Sequence, residues 1–136
     1  MHANAKVPVW LMGTSNGTLS AAYAATELAA SDGLDGVVLI STVLTPERGR
    51  PVPEMPLQKI QVPVLVVHHE QDDCQYCSFT GIPPLMSKFG SAPKTKLLSY
   101  KGGVSKGDPC EPWAHHGYNG IERQVVQEVS AWISQK

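Results

Sequence analysis

A serine, a carboxylate and an imidazole, in that chain order, are the residues with which this sequence could do chemistry. Gly13-Thr14-Ser15-Asn16-Gly17 fits G-x-S-x-G, a pattern whose glycines let a strand and a helix pack closely about a tight turn with the serine at its tip. At ordinary glycine and serine usage the three fixed positions match by chance in about one chain in twenty of this length, so the setting must decide. An apolar run leads into the pattern and an alanine-rich stretch follows it, which is the strand-turn-helix setting that exposes such a serine. The plainer alternative is a strand-to-helix loop with a capping serine.

A serine hydroxyl attacks poorly until an imidazole takes its proton and a carboxylate orients that imidazole. Asp72 and Asp73 follow the apolar run that closes in His68-His69-Glu70-Gln71, and His115 and His116 end a long loop over residues 101–118. Such a set would transfer acyl groups, with Ser15 as the attacking group. The backbone N–H of Asn16, next after the serine, would donate to the oxyanion whatever its side chain does. His68 reads as a packed histidine, Asp73 as a solvated carboxylate and His2 as part of a disordered terminus.

These groups need elements to hold them. Residues 7–12 form a short apolar run ending at Gly13 and read as a buried strand, and residues 18–30 favour helix up to the stop at Asp32 and Gly33. Residues 36–41 and 62–68 show no polar alternation, as in strands covered on both faces. Residues 95–100 read as a weaker strand. Ile121, Val125, Val126, Val129, Trp132 and Ile133 recur at helical spacing. Between the second and third strands, residues 42–61 carry Pro46, Pro51, Pro53 and Pro56, too many for a helix, and read as an irregular surface connection. Alternating strands and helices predict an α/β fold, a single domain over residues 1–136 with a mostly parallel sheet of about four strands. Catalytic groups in such sheets gather at the carboxyl ends of the strands, where all three candidate groups fall.

With these residues in place, the chain resembles the α/β-hydrolase family from its nucleophile strand to its last helix, over nearly all of its length. The family's acid-bearing strand commonly reads as an apolar run, His-Gly, two variable residues and Asp. Here Val-Leu-Val-Val-His68-His69-Glu70-Gln71-Asp72 fits, with His69 in place of glycine. The resemblance thus implies Asp72 rather than Asp73 as the acid. The segment beginning His116-Gly117-Tyr118 resembles the junction before the family's last helix and implies His116 rather than His115 as the base. It also implies a truncated α/β-hydrolase fold. The half that would precede it supplies a second oxyanion donor and a strand pairing with the first. A missing neighbour exposes the strand Val7 to Met12 to a second copy, so a homodimer, or pairing with the missing N-terminal half of a longer protein, is expected.

If Asp72 and His116 touch, the loops bearing Cys74 and Cys110 lie side by side. A disulfide from Cys110 to Cys74, or else to Cys77, would clamp the two loops; reduced buried thiols are the alternative. Cys74 and Cys77 also have a metal-ligand spacing, but no second C-x-x-C accompanies them and the histidines that could complete a site are the ones the triad would use. Neither a metal nor any other cofactor is expected.

The chain has 136 residues, 42% of them hydrophobic, with 11 basic and 12 acidic side chains. It can bury one core but offers nucleic acid or an anionic membrane no electrostatic footprint. No apolar run is long enough to span a bilayer and no signal-peptide pattern opens the chain, so it reads as soluble, its compartment open. The expected partner is a small-molecule acyl substrate, hydrolysed as by a carboxylesterase at a site left open by the short segment 42–61. A catalytically silent assembly or binding module is the alternative, and a cysteine-based metal or redox module a third.

Overall fold

A computed structural model describes residues 7–46 and 49–135; the expectation for His2 lies outside them. Four strands, β1 (Trp10–Thr14), β2 (Gly36–Ile40), β3 (Val64–His69) and β4 (Thr95–Tyr100), form one parallel sheet in the order β1-β2-β3-β4. Helix α1 (Gly17–Glu27) connects β1 to β2, the short α2 (Ile82–Met86) lies between β3 and β4, and α3 (Glu122–Ile133) closes the chain.

The apolar runs sort onto two faces because successive strand side chains point oppositely. Val37, Leu39, Val64 and Val66 meet Ala21, Ala22 and Ala25 of α1 and Leu85 of α2 on one face. Val38, Leu65 and Val67 meet Val125, Val129 and Trp132 of α3 on the other. Every residue of β3 is buried, as its lack of alternation implies.

Several boundaries differ from the sequence expectation, each for a local reason. The first strand starts at Trp10 instead of Val7: Pro8 has no N–H, and the Val9 N–H leaves the ladder to donate to the Asp35 carboxylate at 2.7 Å. It then continues through Gly13 to Thr14, paired with Leu39 and Ile40 of β2. Helix α1 ends at Glu27, where Leu28 turns extended, and a separate 3-10 turn covers Ala30–Asp32 before Gly33 at φ 91°. The described residues of the segment 42–61 are irregular, with 3-10 turns at Val52–Glu54 and Leu57–Lys59, but not superficial: Val52, Leu57 and Ile60 are fully buried in the α1 core. Helix α2 escaped the sequence reading because Pro83 and Pro84 look like breakers, yet they occupy the first turn, where an N–H has no intrahelical partner. Val126, expected on the packed stripe of α3, is 63% exposed.

Candidate active site

Ser15 lies at the turn from β1 into α1 with φ 55°, a left-handed conformation that costs a non-glycine residue about 1 kcal/mol or more. Three hydrogen bonds hold it there. Its N–H donates to the Ile40 carbonyl at 2.9 Å, and its own carbonyl accepts from the Thr18 N–H at 2.9 Å and the Thr18 hydroxyl at 2.6 Å. The turn closes this tightly because Gly13 lacks a side chain: a Cβ there would lie 2.2 Å from the Gly17 carbonyl oxygen. The second glycine of the pattern differs from expectation, since a Cβ on Gly17 would meet nothing within 4 Å.

Asp72 follows β3, 6% exposed, its Oδ1 accepting from the Cys74 N–H at 2.9 Å. His116 sits in a 3-10 turn (His115–Gly117), 4% exposed. Its Nδ1 is 2.8 Å from Asp72 Oδ2 and its Nε2 is 2.9 Å from Ser15 Oγ. A carboxylate only accepts, so the proton belongs on Nδ1, and Nε2 is left to accept from the serine hydroxyl. The structure therefore brings Ser15, Asp72 and His116 into one hydrogen-bonded line. Asp73 is exposed, and His115 stacks on His69 with ring centroids 4.4 Å apart, so neither alternative joins them. Asn16, also exposed, borders the cavity beside Ser15.

The sequence reading missed Ser41. Fully buried just past β2, also left-handed at φ 51°, it donates from Oγ to the His116 carbonyl at 2.8 Å and lies 3.1 Å from Tyr118 Oη. The Tyr118 hydroxyl donates to Val67 O at 3.1 Å, and burial pushes that phenol well above its ordinary range. Ser41 and Tyr118 thus anchor the histidine turn to the sheet. No motif marks them, because their roles depend on contacts 75 and 77 residues away along the chain. Ser41→Ala strands a buried carbonyl and should cost about 1–3 kcal/mol, read as a lower urea midpoint.

His68 and His69 are fully buried at the end of β3. His68 Nε2 lies 2.6 Å from the Cys77 carbonyl, and His69, where the family pattern has glycine, spans from Gly102 O at 2.9 Å to the Gln71 N–H at 3.0 Å. Burial lowers both imidazoles below the ordinary 6.5, outweighing the carbonyl contacts that raise them. The unfolded chain then takes up these protons first. Stability should be full above about pH 6.5 and fall as pH drops through the lowered values, so urea midpoints at about pH 7.5 and about pH 5.5 should differ in that direction.

Cys74 and Cys110 form a disulfide, Cα atoms 4.6 Å apart, between the loops that carry Asp72 and His116. Cys77 is a buried thiol outside it. Two cavities share Ser15, Asn16, Cys110 and Glu111 in their lining. One, of about 590 Å³, runs past Ile40, Val125 and Val126; the other, of about 420 Å³, runs past Val43, Tyr76 and Asp108. Among the described residues no helix is long and apolar enough to cross a membrane.

No protein-family model and no curated protein matches the sequence; the likeness lies in the fold. A monoacylglycerol lipase from Paleococcus ferrophilus aligns with a TM-score of 0.63 at 14% identity, over 93% of this chain and 68% of the lipase. Est1E from Butyrivibrio proteoclasticus gives 0.62 at 16%, over 93% and 60%, and the esterase domain of a Rhodothermus marinus protein 0.52 at 17%, over 74% and 52%. The chain has the α/β-hydrolase fold and spans about half to two thirds of the length of these structures.

Proposed function

We propose that the chain is a serine hydrolase that cleaves small carboxylic esters by acyl transfer. The observation that carries this reading is His116, bonded through one ring nitrogen to Asp72 at 2.8 Å and through the other to Ser15 at 2.9 Å. Ser15 Oγ attacks the ester carbonyl while His116 Nε2 takes its proton, and Asp72 holds the imidazole's tautomer and stabilises the imidazolium. The Asn16 N–H donates to the tetrahedral oxyanion. His116 returns the proton to the departing alcohol, and water then repeats the sequence to release the acid. The larger cavity has a volume suited to a small molecule, and Ile40, Val125 and Val126 give it an apolar side for an acyl chain. The esterases and lipase of like fold point the same way.

Intact-mass labelling with a fluorophosphonate, which reacts with activated serines, tests the proposal. Wild type should gain one adduct, and Ser15→Ala and His116→Ala none. Folded wild type that gains no adduct would overturn it.

A second reading, an assembly module, draws support from β1, which among the described residues lies at the sheet's edge, pairs only with β2 and leaves Met12 53% exposed. Unpaired backbone on such an edge accepts a second copy. Light scattering should then report a dimer; a monodisperse monomer would exclude it.

A further inference from the structure

The ligand atoms of Cys74, Cys77 and His116, all buried, lie within 4.8 Å of one another, and Cys110 Sγ is bonded to Cys74 Sγ at 2.06 Å. Three sulfurs and an imidazole nitrogen therefore share one small volume. In a tetrahedral zinc site with Zn–S near 2.3 Å and Zn–N near 2.0–2.1 Å, ligand atoms stand about 3.5–3.8 Å apart. Cys74, Cys77 and His116 need draw together by only about 1 Å to reach that spacing. The disulfide is the obstacle, because its two sulfurs are too close to serve as separate ligands.

We propose that reduction of the Cys74–Cys110 disulfide unmasks a zinc site made by Cys74, Cys77, Cys110 and His116. A dithiol reductant converts the disulfide to two thiols and is itself oxidised to a disulfide. Zn²⁺ then binds three thiolates and the neutral imidazole and releases three protons. Cys110 and Glu111 border both cavities, which gives a reductant a route to the bond. Asp108 and Glu111, both exposed, stand at the second cavity, which also reaches Cys74 and Cys77, and supply negative charge along a path for the cation. The His68 imidazole, 2.6 Å from the Cys77 carbonyl, helps fix the loop that presents Cys77.

One consequence rests on the proposed hydrolase reading. Both ring nitrogens of His116 are engaged, with Asp72 and with Ser15. A metal on either removes one of those bonds and deprives Ser15 of its base or of that base's orientation. Zinc would then silence the reduced protein and leave the disulfide form active.

Cobalt is the probe for the site, because thiolate-to-cobalt charge transfer and the intense visible bands of tetrahedral Co²⁺ report ligands without any reference to activity. The 136-residue chain reduced with a phosphine, which becomes the phosphine oxide, should take up one equivalent of Co²⁺ with both signatures and exchange it for Zn²⁺. The disulfide form should show neither. Cys110→Ser, which cannot form the disulfide with Cys74 but keeps Cys74, Cys77 and His116, should bind Co²⁺ without reductant, more weakly than reduced wild type because one thiolate is lost, and Cys77→Ser should bind at least about 100-fold more weakly after reduction. Absence of the bands in both reduced wild type and Cys110→Ser, equal uptake by the disulfide form, or undiminished binding by Cys77→Ser would each overturn the site. Fluorophosphonate labelling of the same samples reads the consequence separately: reduced protein should label when metal-free and lose labelling when zinc is added. Labelling that survives a bound equivalent of zinc would overturn the silencing and leave the site standing.

Discussion

His116→Ala should lower kcat/KM for a short-chain aryl ester by about 10⁴- to 10⁶-fold while leaving KM nearly unchanged. In the proposed mechanism the imidazole makes the Ser15 hydroxyl reactive, with Nε2, 2.9 Å from the serine Oγ, as the proton acceptor. Ser15→Ala should lose as much, and the double variant little more than either, since groups acting as a unit do not add. Asp72→Asn tests the third member. An asparagine can offer an N–H to Nδ1 and so favour the tautomer with its proton on Nε2, which can no longer accept from serine; a loss of about 10⁴-fold is expected. Initial rates over a range of ester concentrations check all four. A His116→Ala protein within tenfold of wild type would show that the ester is cleaved elsewhere.

Gly13→Ala should cost more than about 3 kcal/mol of stability and abolish labelling of Ser15. The new Cβ would lie 2.2 Å from the Gly17 carbonyl oxygen, 2.5 Å from its carbon and 2.9 Å from the Thr18 nitrogen. All three are backbone atoms, so no rotamer change relieves the overlap. Helix α1 would have to move off β1, and with it Ala21, Ala22 and Ala25, which pack on the sheet. Gly17→Ala is the control. It adds a methyl to open space at the start of α1 and should be neutral or stabilising by up to about 1 kcal/mol. Urea titrations of the two variants should separate clearly; equal midpoints would refute close strand-helix approach as the reason for Gly13.

What the sequence determined by itself follows from patterns that repeat over short distances. Unbroken apolar runs marked β2 and β3 as covered on both faces, because a strand buried twice has no place for a polar side chain. The strand-turn-helix around Ser15 and the amphipathic spacing of α3 were legible for the same reason. The order of serine, acid and histidine was also visible, and the family resemblance chose Asp72 and His116 from their adjacent alternatives. The tertiary structure decided what depends on residues far apart in the chain. It set the 2.8 Å and 2.9 Å spacings around His116 and joined Cys74 to Cys110 across 36 residues. It buried Val52, Leu57 and Ile60 beneath α1 from a segment whose prolines suggested only surface. It made Gly13, not Gly17, the glycine on which the turn depends, and gave Ser41 its task of holding the His116 carbonyl. Local propensity cannot encode such contacts, since a hydrogen bond or a clash exists only once the sheet and its helices have brought both partners together.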